Sequence, residues 1–202
     1  MDRFINLYLL FYFIAGNIIV GIVNRKFASK DVPVVKRDKS YRVLRGVAFT
    51  LLLIWAVAFF LAELNQLKLL PQTEPTRTYI RIFGLILFSL SGLWMLWARV
   101  CLGIWFSTKF AIKKGHQIIT SGPYKIVRHP IYLGGTLAIW GFTLALDSLI
   151  TLIILAIPFP LIFYLNSKAE ERLFLKEMPT EYQKYQEEVP RLFPFVKTKT
   201  RI

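Results

Sequence analysis

The amino-acid sequence predicts an all-α integral membrane protein with about five transmembrane helices, on three observations. Of 202 residues, 55% are hydrophobic and 15% aromatic, and the mean hydropathy is +0.48, which lies outside the range of soluble domains. The apolar residues are concentrated in four long stretches. The basic residues behind the net charge of +14 lie between these stretches, as is typical of helix flanks in membranes rather than of nucleic-acid-binding proteins.

The first two stretches, Phe4–Val23 and Gly46–Leu64, each have the length of one crossing. Arg25 and Lys26 follow the first stretch like a stop-transfer flank, so we interpret it as a span and not as a cleaved signal peptide. The third stretch, Tyr79–Phe106, is longer than a crossing and is expected to tilt or to project from the bilayer.

The fourth stretch, residues 131–165, is too long for one helix and is interrupted by Asp147 and Ser148. It predicts a tight helical hairpin of two short spans, 131–146 and 149–165. These two spans bring the expected number of crossings to five.

The distribution of basic residues predicts the orientation of the chain. Lys and Arg number 8 in residues 24–45, 2 in 65–78, 5 in 107–130, none at 147–148 and 8 in 166–202. By the positive-inside rule, the N-terminus faces outward, and the first loop, the 107–130 segment and the C-terminal tail are cytoplasmic.

A polar island, residues 116–132, contains both histidines of the chain. Residues 121–124, Ser-Gly-Pro-Tyr, have turn chemistry, and Pro130 suits the first position of a helix. His129 is therefore expected at the mouth of the fourth stretch, with the phenol of Tyr132 two residues later. Taken singly, these residues are typical interfacial anchors; together they indicate a built loop.

Glu170 and Glu171 follow the last apolar stretch by about one helical turn. Carboxylates so close to lipid are costly unless they are paired or serve a site. Pairing with Lys168, Arg172 or the polar island is the alternative to a functional role. The charge distribution brings the pair to the same membrane face as the island.

A second short helix is expected from about 180 to 189, because residues 180–183, Thr-Glu-Tyr-Gln, form a capping-box pattern after Pro179. Tyr182 and Tyr185 share a face of this helix. Packing on the membrane surface is the interpretation that we favour for them over closure on a ligand.

The combination of residues 116–124 (HQIITSGPY), 128–134 (RHPIYLG), the Glu170-Glu171 pair and residues 181–190 (EYQKYQEEVP) resembles the isoprenylcysteine carboxyl methyltransferase family and related prokaryotic membrane methyltransferases. The resemblance implies an S-adenosylmethionine-dependent enzyme without a Rossmann domain, and no Gly-x-Gly-x-x-Gly fingerprint occurs in the sequence. It divides one membrane domain, 1–202, into two N-terminal spans with a basic loop (1–78), a methyltransferase core (79–196) and a basic tail (197–202).

By position, the resemblance implies these cofactor contacts: His116, Gln117, Ile118, Ile119, Tyr124, His129, Pro130, Ile131, Tyr132 and Glu170. A carboxylate and aromatic faces suit the sulfonium and ammonium groups of the cofactor. We expect Glu170→Gln and His129→Ala to weaken cofactor binding severely, and Glu171→Gln to be milder.

Two departures from the family pattern concern the acceptor. Eukaryotic members have an Arg four residues before the cofactor-binding Glu, where this chain has Asn166 with Lys168 as the nearest cation, and a Gln where this chain has Lys109. The expected acceptor is therefore a lipidic or prenylated molecule that carries a carboxylate, a thiol or an amine, with Asn166 and Lys168 as candidate contacts. Only an amine needs a base, for which His129 and Glu170 are the catalytic candidates.

Two other interpretations remain. Membrane sterol reductases share an Arg-His-Pro pattern and use NADPH, and a lipid-binding scaffold would use the island as an anchor. The expected partners are the lipidic substrate and membrane lipid, without nucleic acid or metal; the lone Cys101 excludes a thiolate metal cluster.

Overall fold

A computed structural model describes residues 2–28, 33–37, 41–60, 68–70, 73–107 and 111–195. Three features from the sequence lie outside these residues: the predicted end of the second span at 61–64, the position Lys109, and the basic tail 197–202.

The chain is predominantly helical, as predicted. Its helices are α1 (Asp2–Ala28), α2 (Tyr41–Phe60), α3 (Thr76–Leu102), α4 (Pro130–Leu146), α5 (Leu149–Thr151), α6 (Pro158–Glu177) and α7 (Pro179–Glu188). A π-helical segment, Leu152–Ala156, joins α5 to α6, and short 3-10 helices occupy Gly103–Trp105 and Gly122–Lys125. Two short strands, β1 (Val34–Arg37) and β2 (Ala111–Lys113), complete the described elements.

Among the described residues, three helical segments are long and apolar enough to cross a membrane: Arg3–Phe27, Thr76–Trp105 and Leu149–Glu177. Arg45–Ile54 and Pro130–Leu146 are shorter apolar helices. The protein is thus an integral membrane protein by composition and helix length, while the count of five crossings stays a prediction.

The predicted hairpin turns at Asp147, whose backbone is left-handed with a φ of 54°. Asp tolerates this conformation better than most residues because its short polar side chain bonds locally. Oδ1 accepts the backbone N–H groups of Leu69 and Leu70 at 3.0 and 2.7 Å, and Oδ2 accepts Nε of Arg77 at 2.8 Å. The second arm of the hairpin continues as helix to Glu177, well past the predicted span end at 165.

Glycines bring α3 and α4 into backbone contact. A Cβ atom added at Gly84 would lie 2.6 Å from the nitrogen of Ala145, and one added at Gly141 would lie 2.6 Å from the nitrogen of Phe88. Small residues at such positions allow close packing of helices within a bilayer. Ile5 of α1 is buried against the same region, together with Ala145.

The connections that were predicted to share a membrane face meet at one end of the helices. β1 pairs with β2 antiparallel, with Val34 opposite Lys113, so the first loop lies beside the 107–130 segment. Arg128 in turn contacts Glu171 on α6. This small sheet was not predicted, because three- and four-residue strands carry too little periodicity to be recognised.

Candidate functional site

A cavity opens at this end of the helices, between the polar island, the end of α3, and helices α6 and α7. The space between its walls is about 910 Å³ when the open solvent at its mouth is included. Four segments line it: 102–107, 116–119, 124–132 and the facing surfaces of α6 and α7.

The local sequence of the island explains how its side chains reach the cavity. Gly122 has a φ of +59°, and a Cβ atom there would lie 2.8 Å from Sγ of Cys101, so the turn requires glycine on both grounds. The following 3-10 helix buries Tyr124. Pro130 occupies the first position of α4 and His129 precedes it, which confirms the predicted place of His129 at a helix mouth.

Glu171 is 2% exposed and lies at the centre of a buried ion-pair network. Its Oε1 lies 2.8 Å from Nη2 of Arg128 and 3.2 Å from Nε2 of His129, and its Oε2 lies 2.6 Å from Nη2 of Arg191. Gln186 donates its Nε2–H to Oε2 at 3.1 Å. The carboxylate therefore connects the island, α6, α7 and the segment that follows α7.

Glu170, one residue earlier on α6, points to the cavity instead. Its Oε1 accepts the hydroxyl of Tyr132 at 2.9 Å, and its Oε2 lies 3.3 Å from Nδ1 of His129. About 21% of the side chain is exposed. Successive helical residues point about 100° apart, which is why two adjacent carboxylates have different surroundings.

His129 lies between the two carboxylates with both ring nitrogens engaged. Burial alone would lower its pKa, but hydrogen bonds to Glu170 and Glu171 outweigh burial and raise the pKa. An imidazolium that donates both of its protons has no lone pair to accept another. The geometry therefore argues against His129 as the general base and leaves Glu170 as the remaining predicted candidate.

The segment after α7 is tied to the island by its backbone. The N–H groups of Arg128 and His129 donate to the carbonyls of Pro190 and Arg191 at 2.9 and 3.1 Å. Tyr185 donates its hydroxyl to the carbonyl of Tyr124 at 2.6 Å. Helix α7 thus covers one side of the cavity.

Aromatic rings form much of the cavity wall. His116 lies between Trp105 and Phe174, with ring centroids at 5.1 and 5.3 Å, and Phe174 stacks on Tyr182 at 5.0 Å. Burial raises the pKa of the Tyr182 phenol well above its usual value, so this wall is uncharged. Aromatic faces beside a carboxylate suit a cationic ligand.

The family model for phospholipid methyltransferases matches residues 79–180, which is half of the chain and includes the island and both glutamates. The chain belongs to the phospholipid methyltransferase family. The predicted resemblance to the membrane methyltransferases is confirmed at the level of this family.

Two curated relatives match a shorter part of the chain. The chain is 31% identical over 91 residues to the cobalt-zinc-cadmium resistance protein CzcN of Cupriavidus metallidurans, and 29% identical over 91 residues to the nickel-cobalt-cadmium resistance protein NccN of Alcaligenes xylosoxydans xylosoxydans. Each match covers 45% of this chain and 42% of the relative, so the chain spans less than half the length of either protein. Within the described residues, no group of three or more His, Cys, Asp or Glu side chains is arranged to hold a metal ion.

The methyltransferase fold brings together nine of the ten residues predicted to contact the cofactor. The lining residues among them are His116, Gln117, Ile118, Ile119, Tyr124, His129, Ile131, Tyr132 and Glu170. Pro130 does not line the cavity, because it starts α4 and its carbonyl accepts the indole N–H of Trp94 at 2.9 Å.

The two predicted acceptor contacts lie away from the cavity. Neither Asn166 nor Lys168 lines it, and Nζ of Lys168 lies 5.6 Å from the ring of Tyr164. Both positions are on α6, but a helix presents only one face to the cavity. The expectation that these residues contact the acceptor has no support from this geometry.

Sequence reasoning missed several lining residues: Leu102, Trp105, Phe106, Ser107, Arg128, Leu173, Phe174, Tyr182 and Tyr185. Tyr182 and Tyr185 pack with Val189 in a buried apolar cluster and also line the cavity, so they pack inside the protein, while closure on a ligand stays a prediction. The predicted capping box is also absent: Met178 is the N-cap and no side chain caps α7, because Pro179 starts the helix one residue earlier.

His116 provides a prediction of pH dependence. Burial and the nearby charge of Lys113 lower its pKa to about 4, below the 6.5 of a free imidazole. Between these values the unfolded chain binds more protons than the folded one, so the free energy of unfolding should fall as the pH decreases from 6.5 to 4. Unfolding midpoints measured across this interval should show a slope that His116→Phe reduces. An unchanged slope in the variant would place the responsible group elsewhere.

Proposed function

We propose that the protein is an S-adenosylmethionine-dependent methyltransferase that acts on a lipidic acceptor, the polar end of which enters the cavity from the membrane. The observation that carries the proposal is the Glu170 carboxylate, held by Tyr132 and His129 at the wall of an aromatic cavity, in a chain that belongs to a methyltransferase family. The proposed orientation, with the cavity cytoplasmic, rests on the distribution of basic residues.

The residues present fit this cofactor. Glu170 offers a carboxylate to its ammonium or sulfonium group, and the rings of Trp105, Tyr132 and Phe174 offer polarisable faces. Residues 117–119 line the cavity in neither helix nor strand, so their backbone N–H and C=O groups are candidates to hydrogen-bond an adenine ring. The cofactor supplies a methyl group on a sulfonium centre, which is already activated for displacement.

The protein's part in the reaction is binding, alignment and exclusion of water. Helix α7 and the segment after it cover the cavity, and the contacts of Arg128 with Val189 and Pro190 hold that cover in place. An acceptor carboxylate or thiolate needs no base. For an amine acceptor, the Oε2 atom of Glu170 is the candidate group to accept a proton once its bond to His129 is exchanged.

The alternatives predicted from the sequence are less well supported. A nicotinamide-dependent sterol reductase is disfavoured by the methyltransferase family match. A lipid-binding scaffold does not require a carboxylate that is held by two donors and faces a cavity of this size.

Titration of the purified protein with S-adenosylmethionine and with NADPH tests the proposal. We expect saturable binding of S-adenosylmethionine, measured by calorimetry, in detergent and in lipid nanodiscs, and no saturable binding of NADPH. Loss of the first signal in both environments would overturn the proposed function. Transfer of a labelled methyl group into a total lipid extract would then identify the acceptor.

A further inference from the structure

Arg99 differs from three other arginines of the chain in what surrounds it. Arg77 lies 2.8 Å from Asp147, and Arg128 and Arg191 lie 2.8 and 2.6 Å from Glu171. Arg99 is also buried, with 7% of its surface exposed, but within the described ranges it has no carboxylate partner.

The neighbours of Arg99 are neutral. Its Nε donates to Oδ1 of Asn24 and its Nη1 donates to the carbonyl of Gly103, both at 3.0 Å. The guanidinium carbon lies 4.2 Å from the ring centre of Phe106 and 5.2 Å from that of Phe27. The second terminal nitrogen, Nη2, makes no hydrogen bond to any part of the chain that the structure describes.

The aromatic rings and the C-terminal end of α3 compensate the charge in part. The helix end accounts for the bond from Nη1 to Gly103, since a cation in the last turn satisfies an unpaired carbonyl. No carboxylate among the described residues supplies the rest, and a buried cation without an opposite charge loses its hydration and regains little. A bound anion would therefore stabilise the cluster of Arg99, Asn24, Phe27 and Phe106.

The depth of the cluster identifies the class of anion. The apolar span of α1 ends at Phe27, and that of α3 ends at Trp105, so Asn24 and Arg99 lie where a span meets the headgroup layer. Phosphodiesters are the anions that a bilayer presents at that depth. A guanidinium fork matches the geometry of phosphate oxygens.

We propose that Arg99, supported by Asn24, binds the phosphodiester of a bilayer phospholipid where the ends of α1 and α3 meet. Phe106 contacts the guanidinium on one side and lines the cavity on the other. A lipid bound at Arg99 would therefore fix one wall of the candidate active site. This lipid site does not depend on the proposed methyl transfer.

Native mass spectrometry of the purified protein, without any methyl donor, tests the inference. The ligands are a short-chain phosphatidylglycerol and the diacylglycerol with the same acyl chains. We expect the wild type to bind the phospholipid at least about tenfold more tightly, Arg99→Gln to bind both lipids equally, and Arg99→Lys to keep part of the preference. A full preference in Arg99→Gln would overturn the proposal.

Two further variants keep the test decisive. Arg81→Gln is the matched control, since Arg81 is 3% exposed on the same helix and donates to the carbonyl of Ala145 at 3.0 Å. This variant should retain the preference for the phospholipid over the diacylglycerol.

Asn24→Asp keeps Arg99 but places a carboxylate beside its guanidinium, so the preference for the phospholipid should disappear. This variant serves as the test even where Arg99→Gln does not fold. Retention of the preference in Asn24→Asp would overturn the proposal, and displacement of the lipid by inorganic phosphate would assign the site to free phosphate instead.

Discussion

Glu171→Gln is expected to lower the free energy of unfolding by about 3–5 kcal/mol, the usual effect of removing one partner from a buried ion pair. The carboxylate is 2% exposed and neutralises Arg128, Arg191 and the protonated His129. A glutamine in its place keeps the shape but leaves the buried Arg128 and the half-buried Arg191 without a carboxylate among the described residues, while His129 keeps Glu170 at 3.3 Å. The amide N–H group of the glutamine would also point at N–H groups of its neighbours, which are donors themselves.

The measurement is equilibrium unfolding in detergent, compared with the same substitution at an exposed site. Glu187→Gln on α7 is the matched control, because Glu187 is exposed and surface substitutions usually change stability by less than about 0.5 kcal/mol. Equal effects of the two substitutions would show that the network does not hold the C-terminal segment on the island. The sequence alone suggested that Glu171→Gln would be the milder change for cofactor binding; the structure predicts a large effect on stability instead.

Glu170→Gln is expected to weaken S-adenosylmethionine binding about 10- to 100-fold, with only a small change in stability. A hydrogen bond to a charged group contributes about 1.5–3 kcal/mol, and each 1.4 kcal/mol corresponds to a factor of ten in affinity. Glu170 faces the cavity and is 21% exposed, so the folded protein tolerates loss of its charge. Calorimetric titration gives the affinity, and an unfolding curve on the same sample shows that the fold is intact.

Tyr132→Phe is the control for Glu170, because it removes the hydroxyl that holds the carboxylate at 2.9 Å and keeps the charge and the ring. We expect an intermediate loss of affinity. If Glu170→Gln bound the cofactor as tightly as the wild type, the Glu170 carboxylate would not be the group that binds it. The prediction that Glu170 contributes more to cofactor binding than Glu171 would then be wrong.

The fold could be predicted from the sequence where a pattern is long or chemically distinctive. Hydropathy located the hairpin break at Asp147, and Pro130 located the start of α4. The helix predicted from about 180 to 189 is present as α7, Pro179–Glu188, without the predicted capping box. The β1–β2 sheet was not predicted, because strands of three and four residues carry a weak local signal.

The sequence by itself determined that this is a helical membrane protein and which family it resembles, and it predicted that the chemistry is concentrated in residues 116–132 and the Glu170-Glu171 pair. These conclusions follow from composition, turn chemistry and motif, which are properties of neighbouring residues. Only the tertiary structure decided that the two glutamates have different surroundings, that both ring nitrogens of His129 lie within 3.3 Å of a carboxylate, and that Tyr182 and Tyr185 line the cavity. Charge and burial at those positions depend on residues that are distant in the chain. Arg128 bonds to Glu171, 43 places away, and Tyr185 bonds to Tyr124, 61 places away. No local pattern encodes such pairings.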